Sequence, residues 1–571
     1  MIEVIIYNFI TTIIFYSSGH FFTHYITNLK NKESSNLNIY LIYGVLFIGI
    51  ISLLINFFFP LNLFINTTLA LLFLGYFFLK IIYKQKYWKR IIYFLIIFSF
   101  ICSLLIIYST VNRPDAGLYH LPFTKILNEY KIIFGLSNIH FRFGHTSISQ
   151  YSNAFNFNYI LKEKGILIPQ TIIIASVIIY FFQDLLKLDK SSKTNLSTVV
   201  LFFCIIFSIY TYNRYSSFGN DAAGNILFIF LIYKASKLLS KIDINLNDIL
   251  NLSYISLFCF LQKPFLIFSF LVPILFFLLL YKKNKWLIFK NKNIYLLKLF
   301  FLFFLLKNII ISGCLIYPAE VTCIKSLDWY NHVSTQNEAI MAEAWAKDWI
   351  NLQENKYEPN EYISDFKWIE TWKDNHLKIV IEKYFPYLAF VSIFSTYIFL
   401  ISKKRDYLFS QNEKKILLIL FLTTFLSVIM WFLKFPLYRY GSGIIGGFTI
   451  ICFTLLLNKI IIFPSVKLYK IFKNIILIFF FVIFCKNLIR VYENIDHDNK
   501  KNYWPNIYSL SKNGDITEYK EYKSGEKFMF FIANDGLCMY GPAPCSYYVD
   551  KRIDKRDYYG YELYFIKKKY D

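Results

Sequence analysis

Residues 40–59 read YLIYGVLFIGIISLLINFFF, twenty positions without a charge. A helix rises 1.5 Å per residue, so about 20 apolar residues match the ~30 Å hydrocarbon core of a bilayer. Runs of this kind recur along the 571-residue chain, which is 56% hydrophobic, 21% aromatic and 17% charged. Soluble domains carry roughly a quarter charged residues. The chain therefore reads as an all-α polytopic membrane protein with 13–14 transmembrane helices. The expected spans are roughly 2–27, 39–58, 62–83, 90–109, 166–186, 197–213, 222–238, 248–262, 264–281, 294–312, 384–402, 416–434, 443–463 and 474–491. The first lacks a basic leader and a small-residue cleavage site, so it is expected to be a retained helix.

The net charge of +24 does not indicate nucleic acid. Lys and Arg concentrate in short links between apolar runs, where they orient helices in a membrane. Lys80, Lys84, Lys86, Lys89 and Arg90 crowd one link, which places it in the cytoplasm and the N-terminus and residues 110–165 outside. Lys187, Lys190 and Lys193, then Lys234, Lys237 and Lys241, fall inside on the same map. The basic stretch 282–293 falls inside only if 248–281 is two short passes broken at Lys263-Pro264, where proline removes a backbone donor. Lys486 and Arg490 break the pattern, although long basic side chains can snorkel.

The large external segments are then 110–165 and 313–383, joined by 213–221 and the tail. Residues 1–491 form the membrane domain. Residues 492–571 are expected to be a small α+β periplasmic domain, with strands in GEKFMFFIANDG (525–536) and YGYELYFIKKK (559–569). Five cysteines lie in apolar runs. Of the external four, Cys538 and Cys545 flank a two-proline turn and are expected to pair in an oxidising compartment. Cys314 and Cys323 form a second, weaker candidate pair. No cysteine–histidine set has zinc spacing.

The chemistry concentrates outside. RPDAGLYHLPF (113–123) offers Arg113, Asp115, Tyr119 and His120 just past the fourth span, and NIHFRFGH (138–145) adds His140, Arg142 and His145. A carboxylate at the membrane boundary can serve as a general base, or Asp115 can cap the helix that follows. Lys263, Lys307 and Arg439 (in PLYRYGSG, 436–443) arrive at one depth from separate helices. Buried cations of this kind suit a phosphate. SGCLIYPAEVTCIKSLDWYNH (312–332) supplies Tyr317, Glu320, Asp328, Trp329 and His332, aromatic and acidic groups that fit a sugar or an acceptor. For Asp221 in NRYSSFGND (213–221), helix capping is the expected role.

This pattern, a multi-pass chain with an acid in its first large external loop, resembles the GT-C glycosyltransferases. DAGLYHLPFTKI, FGLSNIHFRFGH, KNIIISGCLIYPAEVTCIKSLDW, PLYRYGSG and CMYGPAPC together are similar to a family of bacterial multi-pass membrane proteins. Its members carry a D-[TA]-G-L-Y-H loop motif, a later SG-x-x-x-YP…DW segment and a terminal C-x6-C. The resemblance implies a bacterial inner-membrane enzyme that takes a sugar from a polyprenyl-phosphate donor to an envelope glycan, lipid or protein. Asp115 matches the acidic position, and Lys307 and Arg439 match basic positions near the lipid phosphate. It names no certain cofactor and leaves room for a divalent metal, Mg or Mn, although Asp115 stands alone where many relatives have paired acids. A polysaccharide polymerase or ligase would use the same cations, and a lipid flippase is the rival outside enzymology.

Overall fold

The computed structural model describes residues 1–29, 37–109, 114–187, 196–215, 218–241, 243–281, 290–351, 357–401, 410–457, 465–498, 503–508, 518–524, 528–534, 536–547, 550 and 552–567. The helices in chain order are α1 (Ile2–Phe21), α2 (Leu37–Asn56), α3 (Leu63–Tyr76), α4 (Trp88–Ile107), α5 (Leu121–Glu129), α6 (Ile148–Phe155), α7 (Ile168–Lys187), α8 (Leu196–Thr211), α9 (Asp221–Ser236) and α10 (Leu246–Gln262). They continue with α11 (Leu271–Leu280), α12 (Lys292–Ser312), α13 (His332–Ala346), α14 (Pro359–Ile363), α15 (Trp368–Trp372), α16 (Lys378–Ile401), α17 (Gln411–Lys434), α18 (Tyr438–Leu457) and α19 (Ser465–Asp498).

Ten helices among the described residues are long and apolar enough to cross a membrane. The chain is a multi-pass membrane protein. The other four expected spans are helices too: α8, α10, the Pro264–Leu280 segment, and α16, which carries Pro386 inside it. The 13–14 anticipated crossings thus resolve into ten full-length spans, three helices of 16 or 17 residues, and α16 with its internal proline.

Alternation of polar links made residues 248–281 two passes rather than one, and the chain does reverse there. α10 stops at Gln262, Lys263 is extended (φ −152°, ψ 106°), and a 3-10 segment Pro264–Phe270 leads into α11. Ser256 donates to Ser269 at 3.1 Å and the Phe260 and Phe270 rings lie 5.4 Å apart, so the two arms run side by side. Proline has no N–H to continue the helix, which is why the reversal falls at this dipeptide. The following basic stretch, 282–289, lies outside the described residues.

Helices meet without a hydrophobic driving force inside lipid, so close backbone approach matters. α1 and α2 show it: a Cβ on Gly19 would sit 1.7 Å from the Tyr40 carbonyl oxygen, and one on Gly44 1.9 Å from that of Phe15.

The polar segments gather at one end of the bundle. Lys164 reaches Glu3 at 2.9 Å, Gly135 N–H donates to Ile310 O at 2.9 Å, and Asn220 to Gln262 O at 2.8 Å. Loop carbonyls there are met by buried amides. Asn66 donates to Ala154 O and Phe157 O at 3.0 and 2.8 Å, and Asn128 donates to Leu61 O and Ala154 O at 2.7 and 2.9 Å. Irregular backbone at the bundle end is tolerated because its groups are satisfied this way.

The tail forms two antiparallel hairpins, β1 (Tyr519–Ser524) with β2 (Phe528–Ala533) and β3 (Ile553–Tyr558) with β4 (Tyr561–Ile566). An α+β tail was expected, but among its described residues past Asp498 there are strands and turns without a helix. The tail caps the first loop. Phe134 and the β4 strand exchange backbone hydrogen bonds at 2.9 Å, and Met539 N–H donates to Gly117 O at 2.8 Å. Both expected pairs, Cys538–Cys545 and Cys314–Cys323, are disulfide-bonded, and the five cysteines in apolar runs are free thiols.

Candidate functional site

Asp115 opens a turn that widens into a π-helical stretch, Ala116–His120, before α5 begins. Such bulges re-aim side chains and recur at functional sites. Asp115 makes no capping hydrogen bond, so its carboxylate is not spent on the helix end. It faces two guanidinium groups instead: Oδ2 lies 2.7 Å from Arg439 Nη1 and Oδ1 lies 4.0 Å from Arg142 Nη1.

Arg439 stands on the first turn of α18. Asn225 of α9 donates to its backbone carbonyl at 3.0 Å, and Trp431 donates to Leu437 O at 2.8 Å. The glycines of PLYRYGSG make room for these neighbours. A Cβ on Gly441 would strike the Trp431 indole at 2.3 Å, and one on Gly443 would meet Asn225 O at 2.5 Å. They serve helix packing rather than a direct backbone approach to a ligand.

Lys263, at the extended break after α10, pairs with Asp221 Oδ1 at 2.5 Å and lies 3.8 Å over the Tyr440 ring. Arg439 Nη2 donates to the Tyr440 hydroxyl at 3.0 Å, so this one ring links the two cations. Sequence placed Asp221 as a helix cap; in the fold it caps nothing visible and neutralises Lys263. Tyr440 is the member that sequence reasoning passed over, and Asp221 the one it assigned another role. Their signal was adjacency: Tyr440 beside Arg439, and Asp221 in a polar link on the same side as Lys263.

His120 is buried beneath the cluster, with a Cβ on Gly219 only 3.4 Å from its Nε2. Its imidazole pKa is pushed down to about 4 by burial, which the charge of Asp115 only partly offsets. It is neutral at ordinary pH. Gln150 Oε1 accepts from the Ser147 N–H at 2.8 Å, so the Gln150 amide donates to His120 Nδ1 at 3.3 Å and the proton sits on Nε2. Burial likewise pushes the Tyr119 phenol well above its ordinary value, and its ring lies 5.5 Å from the Arg142 guanidinium. Burial works against charge on Arg142, but the anionic groups around it, Glu338 and Asp115 among them, raise its pKa.

Three cations thus share one site with two carboxylates. The charge surplus is a single positive unit, and the cationic side chains are 15–30% exposed. An anion can reach them, and guanidinium groups bind phosphate oxygens in bidentate fashion.

Other expected members sit elsewhere. Lys307 is fully buried, donates to Thr146 Oγ1 and lies 3.9 Å over the Phe304 ring; among the described residues no contact joins it to the Asp115 cluster. Its depth matched that of Arg439, but a side chain's azimuth on its helix is not visible from depth. His140 is buried, accepts from the Arg142 backbone N–H at 3.1 Å and packs 4.9 Å from Tyr547. Its pKa falls to about 3, chiefly by burial and then by Arg142. It braces the Arg142 turn.

In the 313–383 segment Trp329 donates to Ile309 O at 2.9 Å, Asp328 pairs with Arg556 and Glu320 pairs with His332 at 2.8 Å. The first ties the segment to α12, the second ties it to the tail and the third braces it internally, all outside the cluster. Tyr317 lies against Gly144 and meets the His145 ring edge-on at 5.2 Å. Arg113 lies outside the described residues.

A second polar pair borders the cluster. His145 Nε2 lies 3.0 Å from Glu338 Oε1, the histidine 33% exposed and the glutamate almost wholly covered. His145 N–H donates to the Arg142 carbonyl at 3.1 Å, so the pair sits one turn from the guanidinium that faces Asp115. Among the described residues no three His, Cys, Asp or Glu side chains converge as a metal ligand set. Asp115 and Asp221 are each taken by a cation, so these residues do not fit a divalent metal and no step is routed through one.

The fold and site define a polytopic membrane protein with a cluster of paired charges at the loop end of its bundle. The chain belongs to the family described as "Domain of unknown function (DUF8201)", whose model matches residues 1–446. That range covers Asp115, Arg142, Asp221, Lys263 and Arg439. No curated protein and no solved structure matches the chain significantly.

Proposed function

We propose that this chain is a glycosyltransferase of the bacterial inner membrane, moving a sugar from a polyprenyl-phosphate donor to an envelope glycan, lipid or protein on the periplasmic side. The observation that carries this reading is the meeting of Asp115 with Arg439 at 2.7 Å, beside Arg142 and Lys263, where the apolar bundle ends. A lipid-linked phosphate needs that placement: its chain in the bilayer, its charge at the boundary, cations to receive it.

Arg439 holds the Asp115 carboxylate at 2.7 Å and occupies it. A donor phosphate competes for the same guanidinium and draws it off, so the base is freed when the donor arrives. The acceptor hydroxyl then passes its proton to Asp115 as its oxygen bonds to the anomeric carbon. The bond from that carbon to the phosphate oxygen breaks, and its electron pair leaves on the phosphate. Arg439, Arg142 and Lys263 stabilise the charge that develops there. Attack opposite the leaving group inverts the anomeric centre.

The test is genetic and chemical. Cells lacking the gene are complemented with wild type or Asp115→Asn at matched membrane levels, and envelope glycans, lipid-linked sugars and surface proteins are analysed by mass. A sugar restored by wild type alone supports the reading; full restoration by Asp115→Asn overturns it.

A further inference from the structure

The pair formed by His145 and Glu338 has no part in the phosphate chemistry, yet it borders the same charged cluster. His145 follows the Arg142 turn, and Arg142 reaches toward Asp115 on one side and feels the charge of Glu338 on the other. Glu338 comes from α13, in a segment almost two hundred residues away in sequence. A covered carboxylate bonded to Nε2 orients the ring, and in the neutral imidazole it puts the proton on Nε2 and makes Nδ1 the acceptor. The ring is a third exposed and Tyr317 stands edge-on to it. Tyr547, 40% exposed, lies over neighbouring His140.

An oriented imidazole acceptor, a guanidinium donor and two tyrosines form a site for a ring that is apolar on its faces and rich in hydroxyls on its rim. We propose that His145, held by Glu338, binds a second hydroxyl of the acceptor while the reacting hydroxyl faces Asp115, which makes the acceptor a carbohydrate rather than a lipid alcohol or a serine or threonine side chain. The inference rests on the glycosyltransferase reading and narrows its acceptor. A lone alcohol has one hydroxyl and cannot serve Asp115 and His145 together; a sugar carries several hydroxyls on one ring. His145 in this role positions the acceptor and takes no proton in the transfer.

Two probes separate this inference from the reading beneath it. Full-length protein in detergent is tested for undecaprenyl phosphate by native mass spectrometry. It is also tested by saturation-transfer NMR for the methyl glycosides of glucose, galactose, mannose and N-acetylglucosamine, with glycerol and a serine tripeptide as comparators. At least one glycoside is expected to receive saturation on its ring protons. His145→Asn and Glu338→Gln are expected to lose that signal about tenfold or more, because a site built for hydroxyls discriminates strongly when a partner is removed. Both variants are expected to retain undecaprenyl phosphate, which also reports that they fold.

Absence of any glycoside signal in the wild type, an undiminished signal in the variants, or equal binding of glycerol or the tripeptide overturns the proposal. If the variants lose both ligands, wild-type protein decides. Diethyl pyrocarbonate modification of His145 should be slowed by the glycoside and not by glycerol, and equal rates overturn the assignment. Failure of undecaprenyl phosphate to bind wild type sinks the donor reading alone, since a glycoside signal that disappears with His145 does not depend on it.

Discussion

Asp115 and Arg439 stand 2.7 Å apart, one in the first large loop and the other at the start of α18. Each is about a quarter exposed, so the pair is screened by solvent and contributes on the order of 1 kcal/mol. An interaction of that size holds the two side chains together and is weak enough to be exchanged for a phosphate.

That exchange gives a split outcome for one substitution. Asp115→Asn removes the carboxylate that competes for Arg439, so undecaprenyl phosphate is expected to bind several-fold more tightly, about fivefold for ~1 kcal/mol. The same change is expected to reduce sugar transfer by roughly 10²- to 10⁴-fold through loss of the base. Native mass spectrometry and product analysis on one preparation check both. Tighter binding with full transfer would contradict the role of Asp115.

Arg439→Ala is expected to act in the opposite direction on binding. It removes the group that meets both Asp115 and the proposed phosphate, so lipid-phosphate binding and transfer should fall together, transfer by about 10²-fold or more. Arg439→Lys keeps the charge without the bidentate fork and is expected to recover binding only in part. Equal binding by wild type and Arg439→Ala would remove the phosphate seat.

Lys307 provides the contrast. It is fully buried against Thr146 and Phe304, away from the cluster. Replacing a buried cation by an apolar side chain of similar length is often neutral or stabilising. Lys307→Met is therefore expected to leave the product unchanged and the melting temperature equal or higher. Loss of lipid-phosphate binding in this variant would return Lys307 to the site.

Acid should destabilise the fold through two buried imidazoles. His120 and His140 have folded pKa values near 4 and 3, against an ordinary 6.5, with burial the main cause in both. Between those values the unfolded chain holds more protons than the folded one. Stability therefore rises with pH across that range and is lost as pH falls below about 6.5 toward 4. Melting temperatures at pH 7.5, 6 and 5 in detergent should decline in that order, and His120→Gln should flatten the decline. A melting temperature independent of pH would show that these rings are not held neutral.

The Cys538–Cys545 bridge closes the turn whose Met539 N–H binds Gly117, two residues from Asp115. For a loop this short the lost chain entropy corresponds to about 2–3 kcal/mol. Cys538→Ser with Cys545→Ser is expected to speed proteolysis of the tail and lower transfer while leaving the ten spans in place. Identical cleavage rates with and without the bridge would show that it does not hold the cap.

The sequence by itself determined that this chain is a membrane bundle. Helix length against bilayer thickness and the distribution of Lys and Arg are local or cumulative properties, so apolar runs such as 40–59 and the break at Lys263-Pro264 were legible without contacts. Asp115, Arg142, Arg439 and Lys263 could be nominated because charges at the edge of an apolar run are costly wherever the chain goes next. Which of them meet was not legible. Lys307 has the same depth and charge as the others but projects to Thr146, Asp221 turned from cap to counter-ion, and Glu338 reached His145 from a distant helix. Depth along a helix is written in the order of residues. Rotation about its axis, and the neighbour it faces, follow from how close-packed helices settle against one another, and only the tertiary structure decides that.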